Sequence, residues 1–102
     1  MIALSDLKTA FASYSYFYGS APNGTSLPYL VAQQTGSDNF AADNKVYSNK
    51  YELTLEYYTT KKDEDAESSI EAILDSLGVF WDKTEAHDDD QEFYLITYSF
   101  WR

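Results

Sequence analysis

Large apolar side chains alternate with polar ones through the middle of the chain, and this alternation predicts its longest strand. The apolar members occupy odd positions, namely Tyr47, Tyr51, Leu53, Leu55 and Tyr57. The even positions between them carry serine, lysine, glutamate and threonine. Because successive side chains of a strand point to opposite faces, the pattern indicates one buried face and one solvated face.

Residues 27–34 predict a second strand that pairs with the first. Pro28 stands at its start, and Gly36 follows its end. The polar residues 37–44 between the two strands predict a loop that carries one aromatic side chain. A protein without an active site commonly binds its partners through such a loop. The predicted protein-interaction residues are therefore Asp38, Asn39, Phe40, Asp43 and Asn44.

Two helices are predicted, one on each side of this strand pair. Apolar residues at positions 4, 7 and 11 predict a short amphipathic helix over 5–13, with Ser5 placed to cap its first turn. A second helix ends before Gly78, which is placed as its C-cap. Its apolar stripe is Ala66, Ile70, Ile73, Leu74 and Leu77, and its acidic stripe is Glu64, Glu67, Glu71 and Asp75.

Shorter patterns complete the order of elements. Residues 14–18, 79–84 and 92–101 predict three further strands, and the acidic residues 85–91 predict a turn. Neighbouring strands that are interrupted by helices are typical of an α+β fold. We therefore predict a single domain over 1–102, a two-layer sandwich with a mostly antiparallel sheet of four to five strands and two helices on one face.

The 102 residues carry a net charge of −10, and this charge is unevenly placed. Residues 1–62 carry five acids and five lysines, whereas 63–102 carry twelve acids against Lys83 and Arg102. Such a surface repels nucleic acid, because phosphate binding needs clustered lysine and arginine. Without cysteine, the fold is held by packing alone. No apolar run of about 18 residues and no secretion signal occur, so we expect an intracellular protein that binds no membrane.

Aromatic residues make up 18% of the chain, and ten of them are tyrosines. Tyrosine is frequent in strands and in partly solvated contact surfaces. Tyr18, Tyr58, Tyr94 and Trp101 cannot all be buried in a domain of this size. Core packing and contact with another subunit therefore both stay open as interpretations of the tyrosine-rich strands.

The sequence carries no catalytic, cofactor-binding or metal-binding pattern. His87, the single histidine, stands beside three consecutive aspartates, a spacing that fits neither an EF-hand nor a dry catalytic cleft. Gly-rich phosphate loops, serine elbows and zinc spacings are also missing. We therefore predict that the protein is not an enzyme. The acidic helix stripe has two interpretations, the solvated side of a helix or a surface that faces DNA and repels it.

Several motifs between Phe17 and the last strand resemble those of a known group of proteins. They are Phe17-Tyr18-Gly19, Leu27-Pro28-Tyr29-Leu30-Val31, residues 37–44, Thr59-Thr60-Lys61-Lys62-Asp63 and Lys83-Thr84-Glu85. In these motifs the chain resembles small proteins from the head-tail connection modules of long-tailed, siphovirus-like bacteriophages and prophages of Gram-positive bacteria. Within that group it is similar to the tail terminator or tail-to-head joining type.

The resemblance implies a structural virion protein whose copies form a ring, commonly a hexamer. Such a ring caps the tail tube and meets the neck, so the expected partners are further copies, the tail tube protein and the neck or head-closure protein. The expected location is the head-tail interface of the virion, and the host cytoplasm during assembly. DNA passing through the ring meets no sequence-specific site. The alternative is an acidic binding protein or DNA mimic that inhibits a host DNA-binding factor.

Overall fold

A computed structural model of the chain describes residues 2–42, 45–90 and 92–101, and for 37–42 and 45–50 it describes the backbone. In these residues, two helices and five strands follow the predicted order. They are α1 (Leu4–Ala10), β1 (Tyr16–Tyr18), β2 (Tyr29–Ala42), β3 (Lys45–Thr59), α2 (Glu64–Ser76), β4 (Trp81–Asp88) and β5 (Phe93–Trp101). The predicted α+β class, with two helices and a mostly antiparallel sheet, is therefore confirmed.

The five strands form one sheet in the order β1-β2-β3-β5-β4, with β3 at its centre. β1 runs parallel to β2, and the other neighbours are antiparallel. Leu55 of β3 stands opposite Ala32 on one side and Tyr98 on the other. This register places apolar residues of three neighbouring strands side by side on one face of the sheet.

That face and both helices enclose the hydrophobic core. β3 contributes Leu53, Leu55 and Tyr57, so the predicted alternation is confirmed by burial at these three residues. Tyr51 is half-buried, and the side chain of Tyr47 lies outside the described part of the structure. The other main contributions are Leu7 and Phe11 from α1 and its C-cap, Leu30 and Ala32 from β2, Ile70 and Leu74 from α2, and Ile96, Tyr98 and Phe100 from β5. Because both helices bury their apolar residues in this one cluster, the molecule has two layers.

Local sequence fixes the helix ends. Asp63 caps α2 by accepting a backbone N–H of the first turn at 3.0 Å, and Gly78 follows the helix with a φ of 76°, which suits glycine. The prediction that Ser5 caps α1 is wrong, because Ala3 occupies the N-cap and Ser5 lies inside the helix. The Asp6 carboxylate instead accepts the Ala3 N–H at 2.8 Å. An acid at the third helical position thus satisfies the backbone N–H of the N-cap residue.

The loop predicted at 37–44 is wrong where the structure describes it. Residues 37–42 continue β2, and β3 begins at Lys45. Phe40 stands opposite Ser48 in the resulting ladder. The polar residues of this segment predict a loop. The hydrogen bonds of a strand join backbone groups, however, so a polar segment can also form a strand. Residues 43 and 44 lie outside the described part of the chain.

The acidic turn predicted over 85–91 is wrong for its first half. β4 extends to Asp88 and pairs with β5 along its whole length. As an edge strand it remains solvated, so acidic side chains are tolerated on it and guard the edge. Asp89 and Asp90 form the turn, and Gln91 lies outside the described residues.

β2 and β3 run far beyond the rest of the sheet. β1 pairs with β2 at 30–32, and β5 pairs with β3 at 52–59. Residues 37–42 and 45–51 therefore form a two-stranded antiparallel extension, which we call the ribbon, and the remaining residues form the body. The molecule is accordingly elongated, with principal extents of 51, 28 and 22 Å.

We expect the body to fold without the ribbon. Replacing residues 38–50 with Asn-Gly keeps Ser37 and Tyr51 as the last pair and closes them with a tight turn. Because the core lies in the body, the free energy of unfolding should change by less than about 1 kcal/mol. Urea unfolding followed by circular dichroism measures the change. Leu55→Ala is the destabilising control and should cost about 2–5 kcal/mol. Non-cooperative unfolding of the ribbonless chain would contradict this division.

Candidate interaction surface

Three of the five predicted interaction residues lie on the ribbon. Asp38, Asn39 and Phe40 belong to β2 and pair with β3. Asp43 and Asn44 lie outside the described residues. The structure thus places the predicted contact residues that it describes on a projecting strand pair and not on a free loop.

Both outer edges of the ribbon lack a neighbouring strand in the described part of the chain. β1 ends at Tyr18, opposite Ala32, and the pairing of β5 ends where Trp101 stands opposite Glu52. Open strand edges of this kind pair with other chains, and natural proteins usually guard them. The ribbon is therefore the part of this chain best shaped to contact another chain.

The sheet face opposite the core carries a continuous row of aromatic rings. Tyr29 stacks on Tyr58 with a centroid distance of 4.9 Å. At one end of this pair Phe17 contacts Tyr29 at 6.3 Å, and at the other end Phe93 contacts Tyr58 at 5.6 Å. These four half-buried rings, which we call the aromatic row, cross β1, β2, β3 and β5. Both described helices pack on the opposite face, so neither covers the row.

β3 presents two carboxylates on the same face as the row. Glu56 accepts hydrogen bonds from the Gln33 amide at 2.9 Å and from the Tyr58 hydroxyl at 3.3 Å. Glu52 accepts one from the Thr35 hydroxyl at 2.8 Å. Burial, followed by the charge of Glu56 and the hydrogen bond to it, raises the pKa of Tyr58 to about 12. Among the side chains that the structure describes, neither carboxylate has a lysine or arginine partner.

The acidic stripe predicted on α2 faces β4. Glu67 has only 2% of its surface exposed, and its carboxylate lies between two lysines. Lys62 Nζ is 2.7 Å from one oxygen, and Lys83 Nζ is 3.0 Å from the other. Lys83 Nζ also lies 2.8 Å from Glu71, which accepts the Tyr98 hydroxyl at 2.8 Å. This Glu67 network ties α2 to the sheet, so the solvated-side interpretation is wrong for Glu67.

The network sets three carboxylates against two lysines, since Lys62 also contacts Glu85. Burial by itself would raise the pKa of the Glu67 carboxyl, but the hydrogen bonds from both lysines and their charges outweigh it and hold the pKa below its ordinary value. Hydrogen bonds to Glu67 and Glu71 raise the pKa of Lys62 and Lys83 respectively. Burial, and next the hydrogen bond to Glu71, raises the pKa of Tyr98. Both helix carboxylates, Glu67 and Glu71, thus face ammonium groups at neutral pH, which weakens this part of the helix as a DNA-repelling surface.

The two ends of the acidic stripe differ. Asp75 accepts the Trp81 indole N–H at 2.9 Å and thereby joins the last turn of α2 to the start of β4. Glu64 is exposed and makes no ion pair or hydrogen bond through its side chain with any described residue. Three of the four acids that the helical spacing groups together therefore make side-chain contacts within the chain.

His87 lies on β4 near the end of its hairpin. Its Nδ1 is 2.8 Å from the Asp89 carboxylate, its ring packs on Tyr94 at 4.3 Å, and 40% of its side chain is exposed. An open depression of about 520 Å³ beside it is lined by residues 86–90, Phe93 and Leu95. Within 2–42, 45–90 and 92–101, no three acidic or histidine side chains gather as metal ligands do, and no helix is long and apolar enough to cross a membrane.

Sequence reasoning misses the aromatic row. Tyr57 and Tyr58 are adjacent, so they point to opposite faces of β3: Tyr57 is buried in the core, and Tyr58 belongs to the row. An aromatic residue at an even position breaks the alternation of this strand and marks a second apolar face. The other three rings come from different strands, so only their register brings them together.

Glu67→Gln should destabilise the protein, because it removes the charge that two lysines share. We expect the free energy of unfolding at pH 7 to fall by about 1–3 kcal/mol, since Glu67 is buried while both lysines are partly solvated. Urea unfolding measures this loss. Asp82→Asn makes the same change of charge at an exposed residue of β4 and should stay within about 0.5 kcal/mol. Equal losses in both variants would contradict the role of the network.

The difference between wild type and Glu67→Gln should vanish in acid. The pKa of Glu67 is lower in the folded chain, so its contribution is complete above the ordinary value of 4.5 and is lost as the pH falls through the folded value. Unfolding measured in steps from neutral pH to strong acid checks this. A difference that is independent of pH would assign the effect to packing and not to charge.

No protein-family model matches this chain, and no curated protein matches it either. These comparisons support no family, partner or activity. The function is therefore inferred from the residues and their geometry, together with the resemblance of the sequence motifs to phage connector proteins.

Proposed function

We propose that this protein is a structural protein of the head-tail interface of a long-tailed phage, of the tail terminator or tail-to-head joining type, and that its copies form a ring. The observation that carries the proposal is the ribbon, whose two strands leave the body and whose outer edges lack partners among the described residues. A strand pair with no place in the core of its own chain is suited to contact between chains.

A ring requires two unlike, complementary surfaces on every copy. The ribbon is one such surface, and the aromatic row on the body is another. A contact between unlike surfaces repeats from copy to copy and closes when the rotation permits. The hexamer implied by the resemblance is one such closed ring.

The distribution of charge supports a ring through which DNA passes without binding. The whole net charge of −10 arises from residues 63–102, which form α2, β4 and β5. Solvated acids remain in the first turn of α2, at Glu64 and Asp65, and in the turn at residues 89–90. Because acids repel phosphate, DNA does not adhere to such a surface.

Three of the five motifs that carry the resemblance contain residues of the ribbon or the aromatic row. Phe17 and Tyr29 belong to the aromatic row, and residues 37–42 belong to the ribbon. The tail tube protein and the neck or head-closure protein are accordingly the further partners in this proposal, and the virion is its location.

A DNA mimic is supported less well. Mimicry requires acids at the spacing of phosphates along one continuous face. On α2, Glu67 and Glu71 are paired with lysines, and Asp75 accepts the Trp81 indole N–H. The acidic stripe is therefore interrupted where a mimic needs it to be continuous.

Deletion of the gene from the phage that encodes it, with complementation by variants, tests the proposal. We expect unjoined heads and tails of irregular length without the protein, and normal virions when wild type is supplied. The ribbonless chain should fail to restore joining, whereas Asp82→Asn should restore it. Electron microscopy of lysates measures tail length and the joined fraction. Normal virions in the absence of the protein would overturn the proposal.

A further inference from the structure

The exposed turn between β1 and β2 contains a reactive pair of residues. Asn23 is followed by Gly24, and both are exposed to solvent. The other asparagines of the chain, at positions 39, 44 and 49, precede phenylalanine or lysine. Because glycine has no side chain, its backbone nitrogen is less shielded than that of any other residue. Among the described residues, the Gly24 N–H finds no hydrogen-bond acceptor.

We propose that Asn23 is a site of spontaneous deamidation, in which water is the only reactant. Hydroxide removes the proton of the Gly24 nitrogen, and this nitrogen attacks Cγ of Asn23. The new N–Cγ bond closes a succinimide ring, the Cγ–Nδ2 bond breaks, and the amide nitrogen takes a proton from water and leaves as ammonia. Water then opens the ring at either carbonyl, which gives aspartate or isoaspartate.

The folded turn holds the reacting atoms apart. The Thr25 N–H donates to the Pro22 carbonyl at 3.1 Å, and Gly24 has a φ of 85°. A turn that is closed by this bond and has a positive φ only at its third residue is of type II. Its second residue, Asn23, then has a ψ of about +120°, which directs the Gly24 nitrogen away from the Asn23 side chain. Ring closure therefore requires rotation about the Cα–C bond of Asn23.

A second hydrogen bond strengthens the turn. The Thr25 hydroxyl donates to the same Pro22 carbonyl at 2.6 Å. Rotation at Asn23 moves Thr25 away from Pro22, so both bonds break before the ring closes. The rate of deamidation therefore depends on local opening of this turn and does not require unfolding of the whole chain.

The products change the charge of the chain more than its fold. Residues 1–62 are neutral, and either product adds one negative charge to them. Isoaspartate also lengthens the backbone by one methylene group. The strands on both sides are held by their own hydrogen bonds, since the Gly19 N–H donates to Ala32 and the Leu30 N–H donates to Ser15, each at 2.8 Å. The longer backbone is therefore confined to the exposed connection.

Incubation of the purified protein at mildly alkaline pH tests the proposal, with a sample unfolded in guanidinium chloride as the reference. Mass spectrometry of peptides locates each conversion of an amide to an acid. We expect Asn23 to react before the asparagines at 39, 44 and 49, and to react more slowly in the folded chain than in the unfolded one. Asn23→Gln should remove this product, because the longer side chain has to close a larger ring.

Thr25→Val tests the control by the turn, because valine keeps the shape of threonine and lacks its hydroxyl. Loss of one hydrogen bond should raise the rate in the folded chain about 2- to 10-fold and leave the rate in the unfolded chain nearly unchanged. Ser26→Ala removes a hydroxyl from the neighbouring exposed residue and should change neither rate. Equal folded rates for Thr25→Val and wild type, or a first reaction at another asparagine, would overturn the proposal. Neither result bears on the proposed phage function, which the gene deletion tests separately.

Discussion

The pairing of β3 with a strand on each side is the constraint on which the rest of the structure depends. β3 pairs with β2 along nearly its whole length, but with β5 only over 52–59. Over 52–58 its odd residues lie in the core beneath the two helices, while its even residues line the uncovered face. One strand therefore sets the core and the outer face, and the ribbon begins where its second partner ends.

Elements with a buried face could be predicted from the sequence, because burial imposes a period. On β3 the core residues repeat at every second position, at Leu53, Leu55 and Tyr57. On α2 they repeat at helical spacing, at Ile70 and Leu74. Residues 37–42 of the ribbon and the second half of β4 could not be predicted in this way. Neither takes part in the described core, so no hydrophobic period distinguishes these strands from a polar loop.

The candidate surfaces could be predicted in part, and what was missed depends on tertiary pairing. The polar pattern singles out the segment that holds Phe40 as a contact surface, which stays a prediction, and does not indicate its strand conformation. The spacing of Glu67 on α2 gives its helical face, yet no local pattern indicates that Lys83, 16 residues away, meets it across the sheet. The aromatic row depends in the same way on the register of four strands, which the alternation of each strand does not determine.

The separation of charge along the chain gives an acidic protein a way to assemble with itself. If its acids were spread evenly, every contact between two copies would bring like charges together. Because α2, β4 and the turn after it hold the excess, repulsion between copies disfavours contacts through these elements and leaves the ribbon as the better surface. In the proposed ring, repulsion thus limits the orientations in which neighbouring copies can meet.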